Sequence, residues 1–520
     1  MPWADGAAEG RGRLQARNSQ VTRMCRTLSV CSWLGVFFLI ASVSHAQDKP
    51  ALKDALALQE AIQDAIAEAE QSVACIIVSR SERYAEVGQG PTDPSRGILG
   101  EYRPPEPRQG RFGAPVPDKD KKLDLADSSN VPESYGSGVA IDAQQGLILT
   151  NRHVVLDAAK LYVRLPSGKG SYANIHAADP RSDLAVLKLI RSPADLKAIK
   201  LGDGGKVRKG QFIVALANPF AAGFKDGSPS ASWGIISNIR RRAPGNPKEE
   251  KEEAPPEGSQ KKPLHRYGTL LQIDARLNLG CSGGALVNLR GEMIGLTTSL
   301  AAISGGETAG GYAVPLDAGI RRIVDVLKQG KAVEYGFLGI KFERPISGRE
   351  GVPVSVVIRG SPAAEGGLQA GDTILGINEE PVRDIDELFR ALGMLLADAE
   401  ARVEVDRIGR GRVTATARLA KFYVPGKIIA SNAPEAVHGC RVDYTSILVQ
   451  TGPEAPIRRG VIVQEVVPGS AAERAEIRVN DVITHVNGKP IATPAEFYKL
   501  ARPPGSLTLT LEPNRTIKLN

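Results

Sequence analysis

A gapless internal repeat in the last third of the chain constrains its fold more than any other feature. Gly360-Ser361-Pro362-Ala363 matches Gly469-Ser470-Ala471-Ala472. Leu368 then matches Ile477, Asp372 matches Asp481, Ile374 matches Ile483, Asn378 matches Asn487 and Pro381 matches Pro490, every pair 109 residues apart. A register held over such a stretch marks two copies of one small folding unit. Each copy should end in a β-hairpin, residues 403–419 around Gly409-Arg410-Gly411 and residues 507–519 around Pro513-Asn514. At roughly 100–200 residues per domain, a chain of 520 residues has room for a larger domain ahead of the pair.

That preceding region reads as mostly β. From Tyr135 to about Ser299, short apolar runs recur between Gly, Pro, Asn and Asp, and few stretches have helical period. The pattern predicts an all-β barrel or sandwich. Ahead of it, Leu52, Leu56, Ile62, Ile66 and Ala69 predict a helix over residues 50–71, and residues 73–78 predict a first strand. Two stretches interrupt the pattern. Residues 82–132 are rich in Pro, Gly and charge, and residues 244–263 hold Lys248-Glu249-Glu250-Lys251-Glu252-Glu253 between prolines. Both read as solvated inserted loops. Ile320, Ile323, Val324 and Leu327 predict a helix over residues 317–328.

Five arginines between Arg11 and Arg26 precede the apolar run Trp33 to Ala41, and Ser44-His45-Ala46 supplies the small residues of a cleavage site. This predicts an exported protein whose signal peptide, residues 1–46, is removed. An uncleaved anchor is the alternative, although the apolar run is short for a span of ~20 residues. The formal net charge of +8 comes partly from this leader, and no basic stripe with interleaved aromatics points to nucleic acid. Of five cysteines, Cys75, Cys281 and Cys440 follow the leader. Three dispersed cysteines suit neither a disulfide framework nor a zinc site, and no metal or other cofactor is expected.

Gly280-Cys281-Ser282-Gly283-Gly284 is the most informative stretch for chemistry. A serine among glycines can stand on a sharp turn, with neighbouring backbone N–H groups converging on one spot as an oxyanion hole requires. Such a nucleophile needs a base, most often histidine. His153 follows an alternating apolar run, whereas His176, His265, His438 and His485 sit in loop-like or repeat contexts. The base needs an orienting carboxylate. Asp183 opens the apolar run Leu184 to Leu187, and it is preferred over Asp179, whose Asp-Pro context suits a turn.

The order His153, Asp183, Ser282, within the blocks Tyr135-Gly136-Ser137-Gly138-Val139, Thr150-Asn151-Arg152-His153-Val154-Val155, Ser182-Asp183-Leu184-Ala185-Val186-Leu187, Ala217-Asn218-Pro219-Phe220 and Gly280 to Asn288, resembles the HtrA/Deg family of serine proteases. The two repeats resemble the PDZ domains of that family. The resemblance spans about residues 70–520 apart from the two insertions. It implies a mainly β fold, a chymotrypsin-like double β-barrel at residues 72–332 followed by α+β PDZ domains at residues 333–424 and 435–520. Residues 47–71 form an N-terminal helical segment. It also implies that Ser282 attacks, His153 moves the proton, Asp183 orients the imidazole, and the N–H groups of Gly280, Cys281 and Ser282 bind the oxyanion. The family usually has Asn before the nucleophile, where this chain has Cys281. Cysteine relatives of the fold keep Gly two residues before the nucleophile, a register that favours Ser282 over Cys281. Cys281 is then expected to line the turn and to confer sensitivity to thiol reagents.

A PDZ domain captures a carboxyl terminus by strand addition, with the carboxylate on backbone N–H groups of a glycine-containing loop. In the first copy Tyr335-Gly336-Phe337-Leu338-Gly339-Ile340 fits that loop, and Leu388, Phe389 and Leu392 on a helix over residues 384–395 could wall the side-chain pocket. In the second copy the 109-residue register lands on Ser446 to Val449 without glycine, and Gly439-Cys440-Arg441-Val442 is a substitute. The expected partners are unfolded polypeptide substrates and carboxyl-terminal peptides at the first copy. A homotrimer or larger assembly is implied by the family. The strand Met293 to Thr298, without Asp or Glu, predicts small or medium apolar P1 side chains. The absence of a GxxxxGK[ST] loop fits an ATP-independent endopeptidase, and the absence of HExxH speaks against a metalloprotease. The competing expectation is a non-catalytic PDZ scaffold or chaperone with a silent protease fold.

Overall fold

The computed structural model describes residues 50–80, 124–128, 132, 134–166, 168–242, 263–299, 310–343, 350–451, 455–503 and 505–519. The expected signal peptide and most of both expected insertions lie outside these residues. The expected first helix is α1, Pro50–Ala69, and it runs through a short 3-10 turn into the first strand. Its Ile62, Ile66 and Ala69 pack into the core between the barrels.

Six strands form the first barrel: β1 Val73–Ser79, β2 Ser134–Asp142, β3 Leu147–Asn151, β4 Lys160–Arg164, β5 Gly170–Asp179 and β6 Leu184–Leu189. They pair in the order β5-β4-β1-β2-β3-β6, and β5 pairs back onto β6 to close the barrel. The unbroken apolar run of β1 follows from having both faces covered. Ala74, Ile76 and Val78 point into the barrel. Val73 joins the inter-barrel core, and Cys75 and Ile77 pack against Leu125 and Tyr162. A strand covered on one face alone would alternate in polarity.

The second barrel holds β7 Phe212–Ala217, β8 Ser230–Arg241, β9 Leu270–Ile273, β10 Ala285–Val287, β11 Met293–Thr298 and β12 Gly311–Pro315. They close in the order β10-β11-β12-β9-β8-β7. Ile213, Ala215, Ile236, Ile273, Leu286 and Ala313 fill it. Alternate residues of both barrels, among them Val139 and Leu149 from the first and Val214 and Leu216 from the second, meet in one core. Two six-stranded barrels sharing such a core are the chymotrypsin-like arrangement. The single helical turn α2, Arg152–Val155, interrupts the β pattern just after β3. Helix α3, Ala318–Lys328, is capped by the Asp317 carboxylate accepting Ile320 N–H, and buries Ile320, Ile323 and Leu327 in the same core.

The two repeat copies share one plan. Helices Pro362–Glu365 and Ile385–Gly393 flank the first five-stranded path, and Ala471–Arg474 and Pro494–Ala501 flank the second. The repeated residues have physical roles. Asn378 and Asn487 both take positive φ, and their side-chain oxygens accept N–H groups of Arg402 and Thr508 at 2.8 and 2.9 Å. Asp372 and Asp481 accept the N–H groups of Gln369 and Arg478. Both expected hairpins form, as Glu400–Arg407 with Gly411–Arg418 and as Leu507–Leu511 with Arg515–Leu519.

The segment joining the copies adds a short strand to the first barrel. Ile429–Ala430 pairs with Ala178 and Ala177 of β5. Ser431 donates its N–H to the His176 carbonyl at 2.9 Å, and its hydroxyl lies 2.7 Å from His176 Nδ1. No helix of the described residues is long and apolar enough to cross a membrane.

Candidate active site

The turn between β5 and β6 and the helical turn α2 face each other. The Asp183 carboxylate accepts the His153 backbone N–H at 3.0 Å through Oδ1, and its Oδ2 lies 2.6 Å from His153 Nδ1. Arg152 N–H, at 2.8 Å, and Asn151 Nδ2, at 3.3 Å, both reach the Asp183 carbonyl. Asp183 therefore sits at φ 58, a left-handed conformation that surrounding bonds must hold in place. Burial pushes the Asp183 carboxyl up, but the facing His153 and the nearby His265 hold it below the ordinary value. His265 lies on the 3-10 turn Leu264–Tyr267, whose Leu264 N–H reaches the Arg181 carbonyl at 2.8 Å. Burial lowers the His265 pKa to about 4 despite the Asp183 charge, which opposes the shift.

Ser282 stands on the loop between β9 and β10, fully buried. Gly283 beside it has φ 86, and a Cβ there would meet the Ser137 carbonyl oxygen at 2.1 Å, so only glycine fits. Ser137 of β2 stitches this loop to the first barrel. Its hydroxyl donates to the Gly280 carbonyl at 2.7 Å and accepts Asn218 N–H at 2.8 Å. The Ser137 N–H reaches the Ser282 carbonyl at 2.8 Å. In this arrangement Ser282 Oγ accepts the Ser299 N–H at 3.0 Å. Among the described residues His153 Nε2 has no hydrogen-bond partner. The structure thus joins His153 to Asp183 and leaves the bond from Ser282 to His153 unmade.

Of the three N–H groups expected to line an oxyanion hole, that of Cys281 is taken by the Asn278 carbonyl at 3.0 Å. Those of Gly280 and Ser282 carry no backbone bond among the described residues. The surroundings of Cys281 speak against the expected reactivity. The thiol is buried, and burial pushes its pKa up to about 11, far from a nucleophilic thiolate.

The expected peptide loop of the first copy divides in two. Tyr335 is wholly buried, with its hydroxyl donating to Asp179, so it cannot face a peptide. Gly336 N–H is taken by the Leu395 carbonyl at 2.8 Å, and Gly336–Phe337 pairs with Ala420–Lys421. Leu338, Gly339 and Ile340 continue into the strand Ile340–Phe342. Leu388 and Leu392 are core residues. Phe389 is covered on the strand side by Phe342, with ring centroids 5.3 Å apart, and on the other by Tyr267, at 4.7 Å. In the second copy, Gly439 does stand in for Gly339. A Cβ on either would come within 2.3 Å of the Cβ of Ser361 or Ser470, and their carbonyls accept N–H from Ile358 and Val467, both at 2.9 Å. There the Tyr498 hydroxyl reaches Val442 N–H at 3.3 Å, on the edge that an added strand would use.

Residues that the sequence did not single out are Ser137, Asn218 and His265. The first two stand in motif blocks without an assigned role, and only the pairing of the barrels brings them to the loop that carries Ser282. His176, by contrast, serves the linker, and the His485 ring bonds the Thr484 hydroxyl.

Residues 136–296 match the trypsin-like peptidase domain family, and residues 354–407 and 462–513 match the PDZ domain family. The chain is 31% identical over 391 residues to a DegP-like periplasmic serine endoprotease of Pseudomonas fluorescens, covering 72% of this chain and 75% of that one. It is 27% identical over 500 residues to a DegP-like periplasmic serine endoprotease of Pseudomonas putida, covering 92% and 94%. It is 30% identical over 413 residues to the periplasmic pH-dependent serine endoprotease DegQ of Escherichia coli, covering 77% and 83%.

Proposed function

Because this chain belongs to the HtrA/Deg family of serine endoproteases, we propose that Ser282, His153 and Asp183 are the residues that cleave its peptide substrates. The observation that carries this reading is the 2.6 Å contact of His153 Nδ1 with the buried Asp183 carboxylate, which fixes the tautomer with a free Nε2. Attack begins when the Ser282 hydroxyl leaves Ser299 N–H, turns to His153 Nε2 and loses its proton there as Oγ adds to the scissile carbonyl. The Gly280 and Ser282 N–H groups receive the oxyanion. Asp183 stabilises the imidazolium, which then protonates the leaving amine. Water repeats the cycle on the acyl-enzyme. A swing of the serine hydroxyl is the rearrangement this resting geometry requires, and catalytic hydrogen bonds commonly tighten only with substrate bound.

The names of the relatives support a periplasmic location, and the substrates are unfolded or damaged polypeptides cleaved without ATP. The first PDZ domain takes carboxyl-terminal peptides at Leu338, Gly339 and Ile340, with Tyr267 moving off Phe389. Homotrimers or larger assemblies form, and light scattering of the purified protein distinguishes them from a monomer. The central experiment is labelling with a fluorophosphonate probe. Label on the wild type and none on Ser282→Ala, together with loss of casein cleavage, supports the triad. A wild type that takes no label and cleaves nothing points to the silent scaffold, a reading that the unmade bond from Ser282 to His153 would then explain.

A further inference from the structure

The turn that carries Asp183 is gripped from outside the barrels. Asp179, at its start, accepts Ser182 N–H at 2.7 Å and the Ser182 hydroxyl, closing the turn on itself. The same Asp179 oxygen also accepts the hydroxyl of Tyr335, a residue 156 positions further along. Between these two aspartates stands Arg181, 3% exposed. Its guanidinium lies 4.1 Å from the ring centroid of Phe422 and 4.8 Å from that of Tyr335. Its Nε and Nη1 find no hydrogen-bond acceptor among the described residues, and burial disfavours the cation, a cost that the two aromatic faces and the field of Asp179 offset only in part.

Both aromatic residues are delivered by one ribbon. Gly336–Phe337 pairs with Ala420–Lys421, and Phe422 N–H reaches the Tyr335 carbonyl at 2.7 Å. This ribbon is the base of the first PDZ domain. A contact that merely filled space would be apolar. Here a phenol donates to a buried carboxylate and a buried cation is stacked, and both interactions fix direction. What they fix is a turn ending in the left-handed Asp183.

We infer that Tyr335 and Phe422 are positioning residues for Asp183, clamping residues 179–183 so that the carboxylate meets His153. The inference rests on the reading of Asp183 as the partner of His153. The full chain and its Tyr335→Phe, Asp179→Asn and doubly substituted variants are compared for kcat and KM on labelled casein, and for the rate of fluorophosphonate labelling. The clamp predicts that kcat and labelling rate fall about tenfold in each single variant, as small displacements of a catalytic group do. KM stays unchanged, and the double variant loses less than the product of the two. Wild-type kcat in Tyr335→Phe, or losses that multiply in the double variant, overturns the clamp. If Tyr335→Phe melts below the assay temperature, Phe422→Leu decides by the same readouts, since it keeps the phenol and removes one stacking face. Ser282→Ala, run alongside, separates the two readings. Cleavage surviving in Ser282→Ala overturns the triad itself, whereas full activity in Tyr335→Phe overturns the clamp alone.

Discussion

The Ser137 hydroxyl, on the first barrel, donates to the Gly280 carbonyl at 2.7 Å on the loop that presents Ser282 from the second. A site shared between two barrels, as proposed for Ser282 and His153, needs such a stitch, because neither half contains it. Ser137→Ala leaves the buried Asn218 N–H and Gly280 carbonyl without this partner. Unsatisfied groups of that kind cost about 1–3 kcal/mol each. The variant is expected to lose stability of that order in a urea melt and to lose kcat with little change in KM. Unchanged kcat would show that the loop holds its shape without the stitch.

His265 gives the fold a pH dependence. Its folded pKa is held at about 4 by burial, below the ordinary histidine value of 6.5. Between those values the unfolded chain binds a proton that the folded chain refuses. The resulting loss is therefore small at pH 7 and grows as pH falls, reaching about 2 kcal/mol at pH 5 for this one residue. His265→Gln is expected to remove that part of the difference between urea melts at pH 7 and pH 5. An identical pH dependence in the variant would place the proton elsewhere.

Cys281 is next to the proposed nucleophile and is nonetheless expected to be chemically quiet. With its thiol pushed up to about 11 and its side chain buried, iodoacetamide at pH 8 is expected neither to modify the native protein at this residue nor to inhibit it. Mass spectrometry of the native and urea-unfolded protein checks this, since labelling should appear only after unfolding.

Tyr267 covers Phe389 on the helix of the first PDZ domain. An aromatic pair is worth about 1 kcal/mol, or roughly fivefold in affinity. Tyr267→Ala is expected to tighten binding of a fluorescent peptide with an apolar carboxyl terminus by about that factor in an anisotropy titration. Weaker binding would mean that the tyrosine forms part of the peptide site.

The barrels were legible in the sequence because strand alternation and turn residues are local signals, and the repeat because it holds one register. His153, Asp183 and Ser282 could be picked out for a similar reason: each lies in a short block whose neighbours set its backbone. In the sequence, the Asp-Pro context makes Asp179 a turn residue. That assignment describes its bonds to Ser182, yet its third partner, Tyr335, depends on how the first PDZ domain seats against the barrel. Tyr335 reads as part of a peptide loop for the converse reason, since a loop motif does not say which of its residues face inward. Gly439 took the place of Gly339 although the register had slipped, because a tight approach to Ser470 demands glycine wherever the loop begins.

The short strand Ile429–Ala430, laid along β5, anchors the segment between the two PDZ domains on the first barrel. The pairing and the bonds of Ser431 run along His176, Ala177 and Ala178, one residue short of Asp179. The polypeptide between the two repeats is thereby built onto the same strand that leads into the Asp183 turn.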